Sequence, residues 1–91
     1  MKINLYCLKD VIVGSYMSPF AQANDQSAIR SLATAVNSGN SGICSTHPQD
    51  VQLFYVGSFD DVTGLIDSEV RHVANAIDYK IIHKEEDGDV L

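Results

Sequence analysis

The sequence predicts an α+β domain, an antiparallel sheet of about four strands in the chain order β-β-α-β-β with one main helix packed on one face. Residues 51–59 alternate between two faces, one of them apolar throughout, as a strand covered on one side requires. Asp60 to Gly64 then form a turn signal before an extended pattern resumes, which predicts a β-hairpin. Residues 28–36 carry an apolar stripe at helical spacing, and a sheet is needed to cover it.

The N-terminal half of the chain shows a similar arrangement of strands and a reversal. Residues 2–8 alternate with period two and predict the first strand, with Ile3, Leu5 and Cys7 on one face and Asn4, Tyr6 and Leu8 on the other. The Asp10 to Gly14 spacing matches that of Asp60 to Gly64 and predicts a second reversal. Residues 15–23 are again extended, and Pro19 confines them to a sheet edge or a bulge.

The main helix is expected to begin after Asn24 or Asp25 and to end near Asn37 and Gly39. Residues 38–49 then predict a long loop that is mobile or engaged by a partner. Beyond the hairpin two patterns compete. Helical spacing of apolar residues behind a possible Ser68 cap favours a short helix over 70–77, whereas Tyr79, Ile81 and Ile82 favour a strand. We expect one domain over residues 1–83 and a disordered acidic tail over 84–91.

Composition limits the possible functions. The 91 residues carry a net charge of −6, and the six Lys and Arg residues are scattered singly, which disfavours tight electrostatic binding of duplex DNA. Four of the twelve acidic residues lie in the last seven residues, so the remainder of the chain carries −2, too little to exclude a nucleic-acid face. The two cysteines favour reduced thiols in a cytoplasmic protein, and no export signal or membrane segment is expected.

Candidate catalytic and metal-binding residues are few. His47, Asp50, Asp60 and Asp61 are of the right types for a divalent metal, but capping and turn roles explain them more simply. Cys44 and His47 lack the second ligand pair of a zinc site. Adjacent carboxylates in an exposed turn lack the burial that acid–base catalysis needs. We therefore predict no enzyme, no metal and no cofactor.

Aromatic side chains give a more specific hypothesis. Aromatics on the open face of a sheet stack unpaired bases without needing many cations, which is compatible with a negative chain. We predict Tyr6 and Phe54 as this pair, on the face opposite the helix, with Lys9 and Arg30 as nearby cations. An exposed apolar face would equally suit a dimer interface, so a homo-oligomer is also expected.

The sequence as a whole also resembles a known protein family. The match extends over nearly the whole chain to Lys80, and it is carried by Asp10, Gly14, Tyr16, Pro19, Phe20, Ala21, Ala28-Ile29-Arg30, His47-Pro48, Asp50, Leu53-Phe54, Gly57, Phe59-Asp60-Asp61, Thr63-Gly64 and Asp78-Tyr79-Lys80. This set resembles the small nonstructural protein of gokushoviruses, which are single-stranded DNA phages of the Microviridae.

The resemblance implies a non-virion protein of the infected bacterial cytoplasm. Members are likened to the microvirus C-type protein, which acts in the switch from duplex replication to single-stranded DNA synthesis and packaging. The expected function is therefore that of a non-enzymatic phage accessory protein that binds single-stranded DNA or the replication proteins of phage or host. A protein-only assembly module, without nucleic-acid binding, is the alternative. No catalytic residue follows from the resemblance.

Overall fold

The computed structural model describes residues 1–81 and confirms the α+β class. Five strands form one antiparallel sheet, and one long helix packs on it. The strands are β1 (Lys2–Asp10), β2 (Ser15–Tyr16), β3 (Phe20–Gln22), β4 (Val51–Asp60) and β5 (Ile66–Asn75). The helices are α1 (Asp25–Asn37) and the short α2 (Ile43–Thr46), with 3-10 turns at Pro48–Asp50 and Ala76–Tyr79.

The sheet has the strand order β2-β1-β4-β5, and β3 also pairs with β1 beside β2. All pairings are antiparallel. The two longest ladders join β1 to β4 and β4 to β5, so the predicted central strand and the predicted hairpin that follows it are both confirmed. Pro19 lies between β2 and β3, where it interrupts the edge as expected.

Helix α1 covers one side of the sheet, which we call the helix side; the opposite side is the open side. The core lies on the helix side, where residues of α1, α2 and the second 3-10 turn pack against β1, β4 and β5. Its buried members are Tyr6, Ala28, Leu32, Val36, Cys44, Val51, Leu53, Ala74 and Ala76. The apolar stripe predicted for the helix is thus confirmed.

The start of α1 is fixed by a capping box. Asn24 is the N-cap: its side-chain oxygen accepts a hydrogen bond from the backbone N–H of Ser27 at 2.9 Å, and the Ser27 side chain interacts in return with the Asn24 backbone N–H. These contacts satisfy backbone N–H groups that the first helical turn leaves without partners. Of the two residues predicted as caps, Asn24 takes the role and Asp25 becomes the first helical residue.

The two Asp-to-Gly segments adopt the same turn. In each, the glycine N–H donates to the aspartate carbonyl at 2.8 Å, and the aspartate Oδ1 accepts from the backbone N–H groups two and three residues further on. Gly14 and Gly64 have φ values of 85° and 78°, a conformation that favours glycine. The predicted equivalence of these segments is confirmed.

A β-bulge in β4 reverses the side-chain alternation. Tyr6 pairs with Tyr55 but Leu5 pairs with Gly57, so Val56 is an extra residue. Gly57 has φ 143°, and a Cβ there would lie 2.1 Å from the Asp67 carbonyl oxygen. The prediction of one apolar face throughout residues 51–59 is therefore wrong: Leu53 and Tyr55 point to the helix side, whereas Phe59 points to the open side.

Three further predictions are wrong. A short helix was expected over 70–77, but residues 70–75 belong to β5, because pairing with β4 fixes them as extended, and residues 76–77 begin the 3-10 turn. A strand was expected near Tyr79, but the residues Ala76–Tyr79 form a 3-10 turn. The segment 38–49 is not simply a loop, since α2 forms within it and the Ser45 hydroxyl donates to the Ala35 carbonyl at 2.9 Å. Ile82, the predicted domain boundary and the predicted tail lie outside the described residues.

Cys7 and Cys44 are both buried free thiols. Cys44 belongs to the core on the helix side, whereas Cys7 pairs across the ladder with Phe54 on the open side. Burial raises the pKa of each thiol, which lowers the fraction present as reactive thiolate. Among the described residues, no helix has the length and apolar character needed to span a membrane.

Candidate functional site

Four strands each contribute one side chain to a cluster on the open side of the sheet. These residues, which we call the aromatic cluster, are Lys9, Tyr16, Phe54 and His72. The ladder brings them together, because Lys9 pairs with Tyr16 and Phe54 pairs with His72. Side chains on one face of neighbouring strands contact each other in pairs and on the diagonal.

The rings of the aromatic cluster meet edge to face. Phe54 lies between the other two, with ring centres 5.4 Å from both Tyr16 and His72 and interplanar angles of 78° and 80°. His72 Nε2 lies 2.8 Å from Asn75 Oδ1, which fixes the orientation of the imidazole. Phe54 is partly exposed and Tyr16 and His72 are exposed, so aromatic surface reaches solvent.

Lys9 gives the aromatic cluster its positive charge. Its Nζ lies 5.1 Å from the centre of the Tyr16 ring and 5.7 Å from that of Phe54, within the range of a cation–π interaction. Lys2 and Arg71 are held by salt bridges of 2.8 Å to Asp67 and Asp25 respectively. Lys9, by contrast, has no salt bridge with any residue in the described part of the chain, so its charge is available to an anion.

A second polar group lies on the helix side and has a structural role. The Tyr6 hydroxyl donates to Asp25 Oδ1 at 2.7 Å, and Arg71 donates to both oxygens of the same carboxylate. The Arg71 guanidinium also lies 4.6 Å from the centre of the Tyr55 ring. Asp25 therefore ties the first turn of α1 to strands β1 and β5.

These contacts shift the pKa values of Tyr6, Asp25 and Arg71. Burial and then the bond to Asp25 raise the pKa of Tyr6 to about 12. The hydrogen bonds from Arg71 and then Tyr6 lower the pKa of Asp25, and the same ion pair raises that of Arg71. At neutral pH, Asp25 and Arg71 are charged and Tyr6 is neutral.

The structure brings together two of the four residues predicted to bind nucleic acid. Phe54 and Lys9 lie side by side on the open side. Tyr6 does not join them: it is 0% exposed in the core, so the prediction that it lies opposite the helix is wrong. The alternation of β1 is as predicted, but the helix covers the face that carries Tyr6. Arg30 is exposed on α1, away from Lys9 and Phe54.

Sequence reasoning missed Tyr16 and His72 as members of the aromatic cluster. Tyr16 follows the Asp10–Gly14 turn, and once that turn is placed, antiparallel pairing sets Tyr16 opposite Lys9. A signal for Tyr16 was therefore present. His72 could not be found in this way, because bulges shift the pairing of β5 with β4.

Comparison with protein families gives one match. A family model described as phage ORF5 protein matches residues 3–79, which includes every residue of the aromatic cluster. The chain belongs to the phage ORF5 protein family. Comparison with curated proteins and with solved structures gives no significant match.

The residues with side chains suited to a metal are separated in this ORF5-family protein. Asp50 precedes β4 and Asp60 ends it, so about 33 Å of extended chain separates them. Asp60 accepts backbone N–H groups of its turn, and Asp61 accepts the N-terminal ammonium at 2.8 Å. Within residues 1–81, no three His, Cys, Asp or Glu side chains are grouped to hold an ion.

The ORF5-family protein also has a groove of about 410 Å³ at the outer edge of β1. It is lined by residues 1–4 and 21–23. The one charged side chain in its wall, Lys2, is engaged by Asp67 at 2.8 Å. The two amide side chains in the wall, Asn4 and Gln22, donate to the Ala23 carbonyl and the Ser31 hydroxyl. Because its polar side chains are engaged within the protein, the groove offers few groups for chemistry, and the aromatic cluster is the better candidate for binding.

Proposed function

We propose that this ORF5-family protein is a non-enzymatic accessory protein of a gokushovirus-like phage and binds single-stranded DNA through the aromatic cluster. It would act in the host cytoplasm during single-stranded DNA synthesis or genome packaging, alone or with replication proteins, and would be absent from the mature virion. The observation that carries the proposal is the position of Phe54 between the rings of Tyr16 and His72, with the Lys9 ammonium 5.7 Å from the centre of the Phe54 ring.

Physical chemistry supports this use of the aromatic cluster. Each base has a π-face, so stacking on an aromatic side chain tolerates any sequence and contributes about 1–3 kcal/mol per base. Bases are available for stacking only where the strand is unpaired, which favours single-stranded over duplex DNA. The single cation provides a contact for one backbone phosphate, so we expect modest affinity and a shallow dependence on salt.

Fluorescence polarisation at low salt tests the proposal. The probe is a labelled oligothymidine of about 16 nucleotides, the upper site size of single-strand binding folds. Loss of one stacked base in Phe54→Ala should raise the Kd about 5- to 150-fold, from the stacking energy above. The melting temperature of each variant shows whether it is folded. Unchanged affinity in folded Phe54→Ala would contradict the proposal.

A matched pair of cations provides the control. Lys9→Gln should reduce the slope of log affinity against log salt by about 0.7, the value for one phosphate contact with a single strand. Arg30→Gln removes a cation of equal charge from the helix, on the other side of the sheet, and should leave that slope unchanged. The reverse result would place DNA on the helix and not on the aromatic cluster.

The alternative is a module that binds only protein. Exposed apolar side chains on β5, namely Ile66 and Val70, favour it. Absence of DNA binding at low salt, together with an oligomer detected by light scattering, would support this alternative against the DNA-binding proposal.

A further inference from the structure

The sheet changes its apolar side partway along its length. Near the aromatic cluster, the strands bury Tyr6, Leu53 and Ala74 on the helix side. Toward the β4–β5 turn, alternation places apolar side chains on the open side instead. Three adjacent strands make this change at the level of the β4 bulge. The residues involved, which we call the distal patch, are Ile3, Leu5, Phe59, Ile66 and Val70.

Nothing in the described chain covers the distal patch. Helix α1 packs on the opposite side of the sheet, and β3, which flanks β1 here, adds only Ala21 to the open side. Ile66 and Val70 are 60% and 63% exposed. A contiguous apolar surface on neighbouring strands is typical of a site that another protein layer covers.

The charged side chains of the same segments point the other way. Alternation places Lys2, Asp67 and Arg71 on the helix side, where they form the salt bridges Lys2–Asp67 and Arg71–Asp25. Asp60 pairs with Lys2 and shares that side. Apart from Ser68, the strand side chains that face away from the helix at this end are therefore apolar, and none of them is charged.

We infer that the distal patch is the contact between two copies of this chain. Two chains of net charge −6 repel each other, so they approach at least cost through a surface without ionised groups. A twofold axis places each patch on its equivalent, and an uncharged apolar patch is complementary to itself. The two sheets would stack face to face about 10 Å apart, as in a β-sandwich.

The size of the distal patch sets the expected strength. Three strands at about 4.8 Å spacing and six residues at about 3.3 Å give roughly 300 Å² per partner. That is below the size of stable specific interfaces, so the contact should be weak and the dimer should dissociate on dilution. The distal patch borders the aromatic cluster on β5, where Val70 and His72 lie two residues apart on the same face, but the two surfaces share no residue.

Sedimentation equilibrium of the full chain over a concentration series tests the inference. The wild type should show a reversible monomer–dimer equilibrium, and Ile66→Glu should shift it to monomer at every concentration. Ile12→Glu is the matched control: the same substitution at a residue 74% exposed, in the turn after β1, should leave the dimer unchanged. Both wild-type residues are exposed, so neither variant should impair folding.

Salt separates this contact from DNA binding. Because screening weakens repulsion between the acidic copies, added salt should strengthen the dimer while it weakens DNA binding. A wild type that stays monomeric up to about 1 mM would overturn the inference, whatever the DNA result. Dimers lost in Ile12→Glu but kept in Ile66→Glu would overturn it too. Loss of DNA binding in Phe54→Ala without loss of the dimer would show that the two surfaces are independent.

Discussion

Gly57 shows how one residue sets the geometry of a strand. Its φ of 143° is strained for any residue with a side chain, and the Asp67 carbonyl oxygen occupies the space that a Cβ would need. Both restrictions come from the bulge, where β4 approaches β5 closely. The bulge in turn decides that Phe59 points away from the helix. The absence of a side chain at this position thus permits the bulge that brings Phe59 to the distal patch.

We predict that Gly57→Ala lowers the free energy of unfolding by about 2–4 kcal/mol, because backbone strain and a steric clash act together. Urea denaturation followed by circular dichroism measures it. Gly39→Ala is the control: Gly39 also has positive φ, at 82°, but a Cβ added there would meet no atom within 4 Å. It should cost about 1 kcal/mol. Equal losses in both variants would mean that the close approach at Gly57 is unimportant.

At the scale of single elements, α1 is the best-defined unit. Its N-terminus is capped by Asn24 and Ser27, and its buried face is the stripe Ala28, Leu32 and Val36. Asp25 adds a negative charge in the first turn, where it interacts favourably with the helix dipole. Capping and packing therefore act at different positions of the same helix and can be tested separately.

We predict that Asn24→Ala lowers the free energy of unfolding by about 1 kcal/mol, because the Ser27 N–H loses its acceptor. Thermal or urea denaturation measures the change. Asn24→Asp keeps a side-chain acceptor at the cap and should retain wild-type stability. A loss of equal size in both variants would show that the cap hydrogen bond is not what stabilises this end of α1.

The elements also show what the sequence could and could not predict. Local patterns were enough to predict α1, β1 and the two aspartate–glycine turns. The signals for each, namely the spacing of apolar residues, the helix cap and the turn residues, lie within a few positions of one another in the sequence. They failed for residues 70–77, where apolar spacing fits a helix but pairing with β4 decides the conformation. They also failed for Tyr6, because alternation gives two faces without saying which one the helix covers.

The candidate site also contains residues that local patterns could predict and residues that they could not. Alternation over residues 51–59 was enough to place Phe54 on a strand, and Lys9, predicted as a nearby cation, does lie beside it. His72 required the register of β5, which two bulges shift relative to β4. Register depends on contacts between distant residues, and a single sequence does not contain that information explicitly.

At the scale of the whole molecule, Asp25 joins parts of the chain that are far apart in sequence. Its carboxylate accepts from Tyr6, 19 residues earlier, and from Arg71, 46 residues later. Strand β1, helix α1 and strand β5 are thereby connected through one ionised group. Because Arg71 and Tyr6 lower its pKa, this connection depends on pH.

We predict that acid weakens the fold partly through Asp25. Its pKa is lowered in the folded state, so its contribution is full above the unfolded value of about 3.9 and is lost as pH falls through the lower folded value. Asp25→Asn should therefore lose less stability between neutral pH and pH about 3 than the wild type. Urea denaturation at both pH values measures the difference.

Arg71→Gln provides the control for this prediction, because it removes the group that contributes most to lowering the pKa of Asp25. Arg71→Gln should also lose less stability in acid than the wild type. The double variant Asp25→Asn/Arg71→Gln should lose about as much as either single variant, because both changes remove the same interaction. Acid sensitivity equal to that of the wild type in all three variants would assign the effect to other carboxylates.

The bulge at Val56 also affects how relatives of this chain should be aligned. One additional residue reverses the odd–even phase of β4, so positions after it belong to the opposite face from positions of the same parity before it. A gap that removed this residue would assign Phe59 to the side of α1 and Asp60 to the other. Homologues with and without the insertion would then differ in surface chemistry despite nearly identical residues.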